Sequence, residues 1–239
     1  MKLLIYDQLK RSITHLAKTF KLNLSAGPTG RPRKIQPLDA LTLALYQHRS
    51  TRVTKRSIYE DLKSSLRCSY KTLVVSINKV AVLAAQLLAL LMRSGAPTSH
   101  PVKYTDATDL PVCLKKNMDD HRTMAGLASL GKSAKDWYFG LKMTMTRDDR
   151  GTILGLKFTA PGANDRDLFR QINQDLMGIL VADTGYVSGK LEQDMYIEGK
   201  RWVLIRPKKN MKKLATAWQL AVYRGRFKIE FDFRSLKLF

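Results

Sequence analysis

The hydrophobic rhythm of this chain changes once, at Gly95-Ala96-Pro97, and that change divides it into a helical part and a mixed α/β part. Upstream, apolar residues recur three and four positions apart, as on one face of a helix. Downstream, WYFGLKMTMTRD alternates with period two, the pattern of a strand with one face buried. At 239 residues the chain is long enough for both parts to bury a core.

In the first part, Tyr6–Phe20 predicts an amphipathic helix, which SAGPTGRPRKIQP then interrupts with its glycines and prolines. Asp39 is a candidate cap for a helix through LTLALYQHR, and Thr54 for one through SIYEDLKSSL. Ser69 is placed to cap a long helix ending near Ser94-Gly95. Its greasiest stretch, Val80–Met92, is thirteen residues long, too short for a bilayer, and reads as a buried helix. Short helices with basic, polar faces suit a helix-turn-helix-like domain. The second part reads β-β-β-α-β-α-β-α, a mixed sheet with helices on its faces. VKYTDATDLPVC is the first strand. WYFGLKMTMTRD and TILGLKFTAPG form a hairpin about Asp148-Asp149-Arg150-Gly151. GILVAD is a buried strand, RWVLIRPK another, and a helix is expected from Lys212 onward.

Charge narrows the partner. The net charge is +22, and residues 1–100 carry 17 Lys and Arg against 4 Asp and Glu. A globular chain this basic calls for a polyanion, DNA first. The segment GRPRK forms an extended basic arm whose Arg31 and Arg33, with Lys34, suit DNA contact. Two cysteines and four histidines, without ligand spacing, exclude a disulfide scaffold and a zinc site. A metal would therefore be held by carboxylates and be a hard ion, magnesium or manganese. The N-terminus MKLLIYDQLKR carries no signal peptide, so a soluble cytoplasmic protein without a membrane partner is expected.

Three carboxylates stand where that chemistry could use them. Asp106 lies within the first strand, Asp183 closes GILVAD, and Glu230 lies on the final helix. If the first and fourth strands are neighbours, Asp106 and Asp183 converge at one edge of the sheet, and a helix packed across it adds Glu230. Three such charges repel unless a cation neutralises them. Two magnesium ions about 4 Å apart would do so and would serve a phosphodiester reaction.

Tyr223, Arg226, Glu230 and Lys237 stand in the pattern Y-x2-R-x3-E-x6-K. The pattern resembles the Tyr-Arg-Glu-Lys signature of DDE transposases from bacterial insertion sequences. DATDLPVC, WYFGLKMTM, TAPGANDRD and VADTGY resemble further segments of that family, in the same order, and the likeness runs from Gly30 to Lys237. It implies an RNase H-like catalytic domain over 96–239, preceded by an all-α DNA-binding domain over 1–95. It also implies Asp106, Asp183 and Glu230 as catalytic, metal-binding triad, with Asp109 as the alternative to Asp106. The family's Asp precedes a small-residue step, which favours Asp106. Tyr223, Arg226 and Lys237 carry over as helpers at the DNA, on one face of a single helix.

The implied activity is metal-dependent cleavage at element ends, followed by attack of the freed 3′-hydroxyl on target DNA. It would use Mg2+ or Mn2+ and a homodimer on double-stranded DNA, in the bacterial cytoplasm at the nucleoid. Relatives continue past the signature, whereas this chain stops nine residues beyond Glu230, so a C-terminally truncated domain with weak catalysis is expected. The rival readings are a non-catalytic DNA-binding remnant and an RNase H-like nuclease or resolvase without strand transfer.

Overall fold

The computed structural model describes residues 2–24, 33–49, 54–120, 124, 126–133, 136–186, 188–206 and 215–237. The chain forms two compact units, Met1–Leu91 and Met92–Leu238.

The first unit is helical, with α1 (Lys2–Thr19), α2 (Pro37–Arg49), α3 (Lys55–Leu62), α4 (Tyr70–Lys79) and the start of α5 (Ala81–Gly95). Thr54 caps α3, its side chain accepting from the Ser57 amide, and Ser69 caps α4 through the Thr72 amide. Ile13, Leu41, Leu43, Ile58, Leu73 and Ile77 meet in one aliphatic core.

Three expectations change here. Asp39 is not a cap: α2 already starts at Pro37, and the Asp39 carboxylate accepts from Tyr6 Oη at 2.9 Å and pairs with Lys10 at 2.6 Å. The long helix after Ser69 is two helices, parted at Val80, which leaves helical geometry with φ −92° and ψ 4°. Nor is the second of these buried. Leu87 is the buried residue of α5, while Val82 is 68% exposed and Leu88 and Leu91 are exposed. Alanine and leucine go all the way round this helix, so a core on one side leaves apolar groups on the other. By length and composition alone the 26 residues Tyr70–Gly95 are apolar enough to cross a membrane, although they are parted at Val80. Leu73, Ile77 and Val80 of that run nonetheless pack in the helical core.

The second unit is a six-stranded mixed sheet. Its strands are β1 (Val102–Leu114), β2 (Ser129–Lys132), β3 (Trp137–Asp148), β4 (Ile153–Thr159), β5 (Ile179–Ala182) and β6 (Trp202–Ile205). β3 lies antiparallel to β1 and β4, and β1, β5 and β6 run parallel, giving the order β4-β3-β1-β5-β6. Three antiparallel strands followed by two parallel ones, with helices on the faces, form the RNase H-like arrangement. The short β2 was not expected, and it pairs with the start of β3 along the edge that β4 uses further on.

Period two sorts the side chains. Leu180 and Ala182 face α6 (Asp165–Asn173) and α7 (Gly189–Gly199), packing with Phe169, Leu191 and Met195. Tyr104, Met143, Met145 and Val181 face the other way, against Ile229 and Phe233. The C-terminal helix expected from Lys212 is again two: α8 (Ala217–Arg224), opened by a capping box of Thr216 and Gln219, and α9 (Phe227–Lys237). Residues 207–214 lie outside the described ones.

Candidate active site and DNA-binding groove

The parallel pairing of β1 with β5 does most to build the site. Val102, Lys103 and Tyr104 stand beside Ile179, Leu180 and Val181, and the same register continued sets position 106 beside position 183. Parity then separates the two aspartates of β1. Asp106 shares the face of Tyr104. Asp109 is three positions on and so lies on the opposite face, where Tyr138 Oη donates to its Oδ1 at 2.6 Å.

The corner between α8 and α9 closes over the Asp106 face. The amides of Gly225, Arg226, Lys228 and Ile229 all bond three residues back, so the chain turns tightly there. Gly225 is needed at that corner, because a Cβ would run into the Tyr104 hydroxyl. Ile229 and Phe233, four apart, are buried on the sheet, whereas Phe227 and Phe231 are exposed and do not serve as the anchors their apolarity suggests. Two polar straps hold α9 in place. Asp149, at the β3–β4 turn, accepts from Tyr104 Oη at 2.8 Å and pairs with Lys228 at 2.6 Å, and Arg147 pairs with Asp232 at 2.8 Å. Lys228 and Asp232 straddle Glu230, so both straps fix that residue. Their spacing of four puts both on one face of the helix, a relation legible in the sequence.

Asp106, Asp183 and Glu230 come together around one cation, the guanidinium of Arg226. Its Nη1 lies 2.8 Å from Asp106 Oδ2, and its Nη2 lies 2.9 Å from Glu230 Oε1 and 3.9 Å from Asp183 Oδ1. Tyr223 Oη donates to Asp183 Oδ1 at 3.1 Å. Among the described residues no three acidic, His or Cys side chains already form a ready metal cluster. Burial pushes the Asp106 carboxyl up to about 6. The Ala107 amide and Arg226 pull it down, while Asp183 and Glu230 push it further up. Burial opposes the charge on Arg226, but the surrounding carboxylates outweigh it and hold the guanidinium more firmly protonated than usual. Burial, then Asp183, raises the Tyr223 hydroxyl. The donor set fits a hard divalent ion: three carboxylates from three elements already converge on a positive charge.

The helper residues divide. Tyr223 and Arg226 face the carboxylates. Lys237 ends α9, and its side chain lies outside the described residues. In the helical unit, Arg33 and Lys34 are exposed and line a groove of about 350 Å³, together with Ser69, Lys71, Thr72 and Lys79. No carboxylate is among its described lining residues. Arg31 lies outside the described residues. Lys71, Val75 and Lys79, on one exposed face of α4, were missed. Their spacing of four and eight is the signal.

A family profile described as "Transposase DDE domain" matches residues 96–239. The chain belongs to that family. This DDE domain thus contains the whole sheet, the three carboxylates and the α8–α9 corner. No curated protein matches the sequence. Among solved structures, the chain is similar to the Mos1 strand transfer complex, with 12% identity, a TM-score of 0.30, and coverage of 91% of this chain and 82% of that one. It is similar too to a pre-cleavage Mos1 transpososome, with 11% identity, a TM-score of 0.29, and coverage of 95% and 86%. A third is the Mos1 mariner paired end complex with Mn, with 12% identity, a TM-score of 0.27, and coverage of 94% and 85%. Overlaps of this size leave the fold assignment to the strand order itself.

Proposed function

We propose that this DDE-family transposase cuts DNA strands at the ends of its element and joins the freed 3′-hydroxyl to target DNA, acting as a dimer in the bacterial cytoplasm. The observation that carries the reading is the convergence of Asp106 on β1, Asp183 just past the end of β5, and Glu230 on α9, around a single positive charge. These three would hold Mg2+ or Mn2+. Bound there, such ions activate the attacking water or hydroxyl and stabilise the leaving oxygen.

The chain's own residues supply position and charge rather than a covalent nucleophile. Tyr223 orients Asp183 through its hydroxyl. The straps through Asp149 and Arg147 keep Glu230 over the sheet edge. In the helical unit, Arg33, Lys34, Lys71 and Lys79 present four cations to one groove, which suits DNA phosphates, and Val75 adds an apolar contact on the same helix face.

The test is nicking and joining of DNA that carries the element's ends, in magnesium and in manganese. Asp106→Asn, Asp183→Asn and Glu230→Gln should each abolish both products and leave DNA binding intact. Binding without nicking by the unmodified chain would favour the DNA-binding remnant. Nicking without joined products would favour a nuclease or resolvase.

A further inference from the structure

We propose that Arg226 is the resident counter-cation of the triad, and that it moves from the carboxylates to a DNA phosphate when a divalent ion takes its place. The inference rests on the reading of Asp106, Asp183 and Glu230 as metal ligands. It adds an exchange in which one side chain serves two anions in turn.

Crowding at Asp106 is the first ground. Both of its oxygens are engaged: Oδ1 accepts from the Ala107 amide at 2.9 Å and Oδ2 from Arg226 at 2.8 Å. An ion bound directly to this carboxylate lies about 2.1 Å from an oxygen, well inside hydrogen-bond distance. Each oxygen keeps a second lone pair, so the hydrogen bonds alone do not bar an ion. The obstacle is the positive charge of the guanidinium, which faces the oxygens the ion would use. Of the two partners only this side chain is charged and free to swing away. At Glu230 too, Arg226 occupies an oxygen, at 2.9 Å. An ion placed among these carboxylates would sit within a few ångströms of the guanidinium, in a site where Arg226 is only 15% exposed and solvent screens little.

Charge balance points the same way. One guanidinium against three carboxylates leaves a surplus of negative charge, so the cluster is held together without being neutralised. That suits a site kept assembled until a stronger cation arrives.

While it pairs with the carboxylates, Arg226 also keeps its Cζ 5.8 Å from the centre of the Tyr223 ring, a cation–π contact. Guanidinium pairs with phosphate in a bidentate manner, so a DNA backbone at the site is a suitable final partner. Arg226 is a positioning residue here. It gathers the ligands before the metal binds and couples metal entry to DNA arrival. That coupling is reciprocal: DNA raises metal affinity, and metal raises DNA affinity, by the same factor.

The experiment measures Mn2+ binding to the full chain by calorimetry or electron paramagnetic resonance, with and without a short DNA duplex. Without DNA, Arg226→Ala should bind Mn2+ about tenfold more tightly than the unmodified chain, within the usual span of such couplings. The gain in Mn2+ affinity on adding duplex should shrink by a similar factor. In EDTA the variant should melt lower, and saturating Mn2+ should narrow the gap. A residue with only a structural role would lower melting equally with and without the ion. Arg226→Gln, which keeps hydrogen-bond donors and loses the charge, is read the same way if the alanine variant does not fold. Mn2+ affinity equal to or weaker than that of the unmodified chain would overturn the exchange. Asp106→Asn serves to separate the two readings: if it binds Mn2+ as well as the unmodified chain, the triad is not the metal site, and both readings fall.

Discussion

The two units differ in whether they take any of their basic residues inside. In the helical unit, Arg33, Lys34, Lys71 and Lys79 stand at the surface around a groove whose described lining holds no carboxylate. In the sheet unit, where many other Lys and Arg stay exposed, four cations are turned inward and engaged. Arg201 donates to the Asn173 carbonyl at 3.2 Å, Lys103 to those of His100 and Met177 at 2.9 and 2.6 Å, and Arg147 and Arg226 pair with acids. A formal charge of +22 therefore overstates what is offered to DNA, because part of it is consumed as internal structure. The lesson is that net charge names a polyanion partner, while burial decides which residues meet it.

The comparison breaks if polar groups inside the sheet unit prove dispensable. The largest expected effect is at Asn173, which joins Thr105 and Thr146 in a buried network with contacts of 2.8 to 3.2 Å. Asn173→Ala should lower stability by about 3 kcal/mol in urea melts, because it opens a cavity and leaves hydroxyls with fewer partners. Gly225→Ala should lower it by about 2 kcal/mol, since overpacking at Tyr104 lifts the corner. Nicking should fall by more than the melting shift explains, because Arg226 and Glu230 move with that corner.

Asp148 gives a smaller effect with a defined sign. Burial opposes its charge, but the amides of His100, Thr152, Arg150 and Gly151 outweigh burial and hold its carboxyl below the usual range. A depressed carboxylate stabilises the fold above its unfolded pKa of about 3.9, and that contribution is lost as pH falls through the folded value. Asp148→Asn should reduce stability by about 1.5 kcal/mol at neutral pH. It should also flatten the loss of stability on acidification below about pH 4, followed by circular dichroism. At the surface the expectation reverses. Lys71→Ala and Lys79→Ala should change stability by less than about 0.5 kcal/mol. If each lysine meets a phosphate, each variant should lower the salt dependence of DNA binding by about 0.9 in the log–log slope. Unchanged slopes would move the DNA contact away from α4.

Much of the sheet unit was legible because period two is a local signal. β1, β3 and β4 could be read from alternation and turn residues, β5 and β6 as short apolar runs, and parity alone sets Asp106 and Asp109 on opposite faces. β2 was not legible: four residues, SLGK, with a glycine among them, carry no rhythm. The breaks at Val80 and Gly225 were hidden for a different reason. Neither site carries a proline, and Gly225 is needed for its lack of a side chain against Tyr104, a contact made by a residue far away in the sequence. Asp39 looked like a cap because capping is local, yet its partners, Tyr6 and Lys10, lie on another helix. The carboxylates of the candidate site could be named from their places on strands and helix. Arg226 could be placed near Glu230 by helical spacing, but its bond to Asp106, 120 residues away, is a fact of tertiary packing.

The β3–β4 turn has a consequence of its own. Asp149 at that turn holds Lys228, two positions before Glu230, and Gly151 takes a positive φ of 98° to bring the chain back. The turn therefore acts as a gauge block for a carboxylate it never touches. Adding or removing one residue there would shift Asp149 along the edge of the sheet and carry Glu230 with it. Most surface turns tolerate changes in length. In this one, length is part of the site's geometry, and an engineer inserting a tag or a linker should leave it alone.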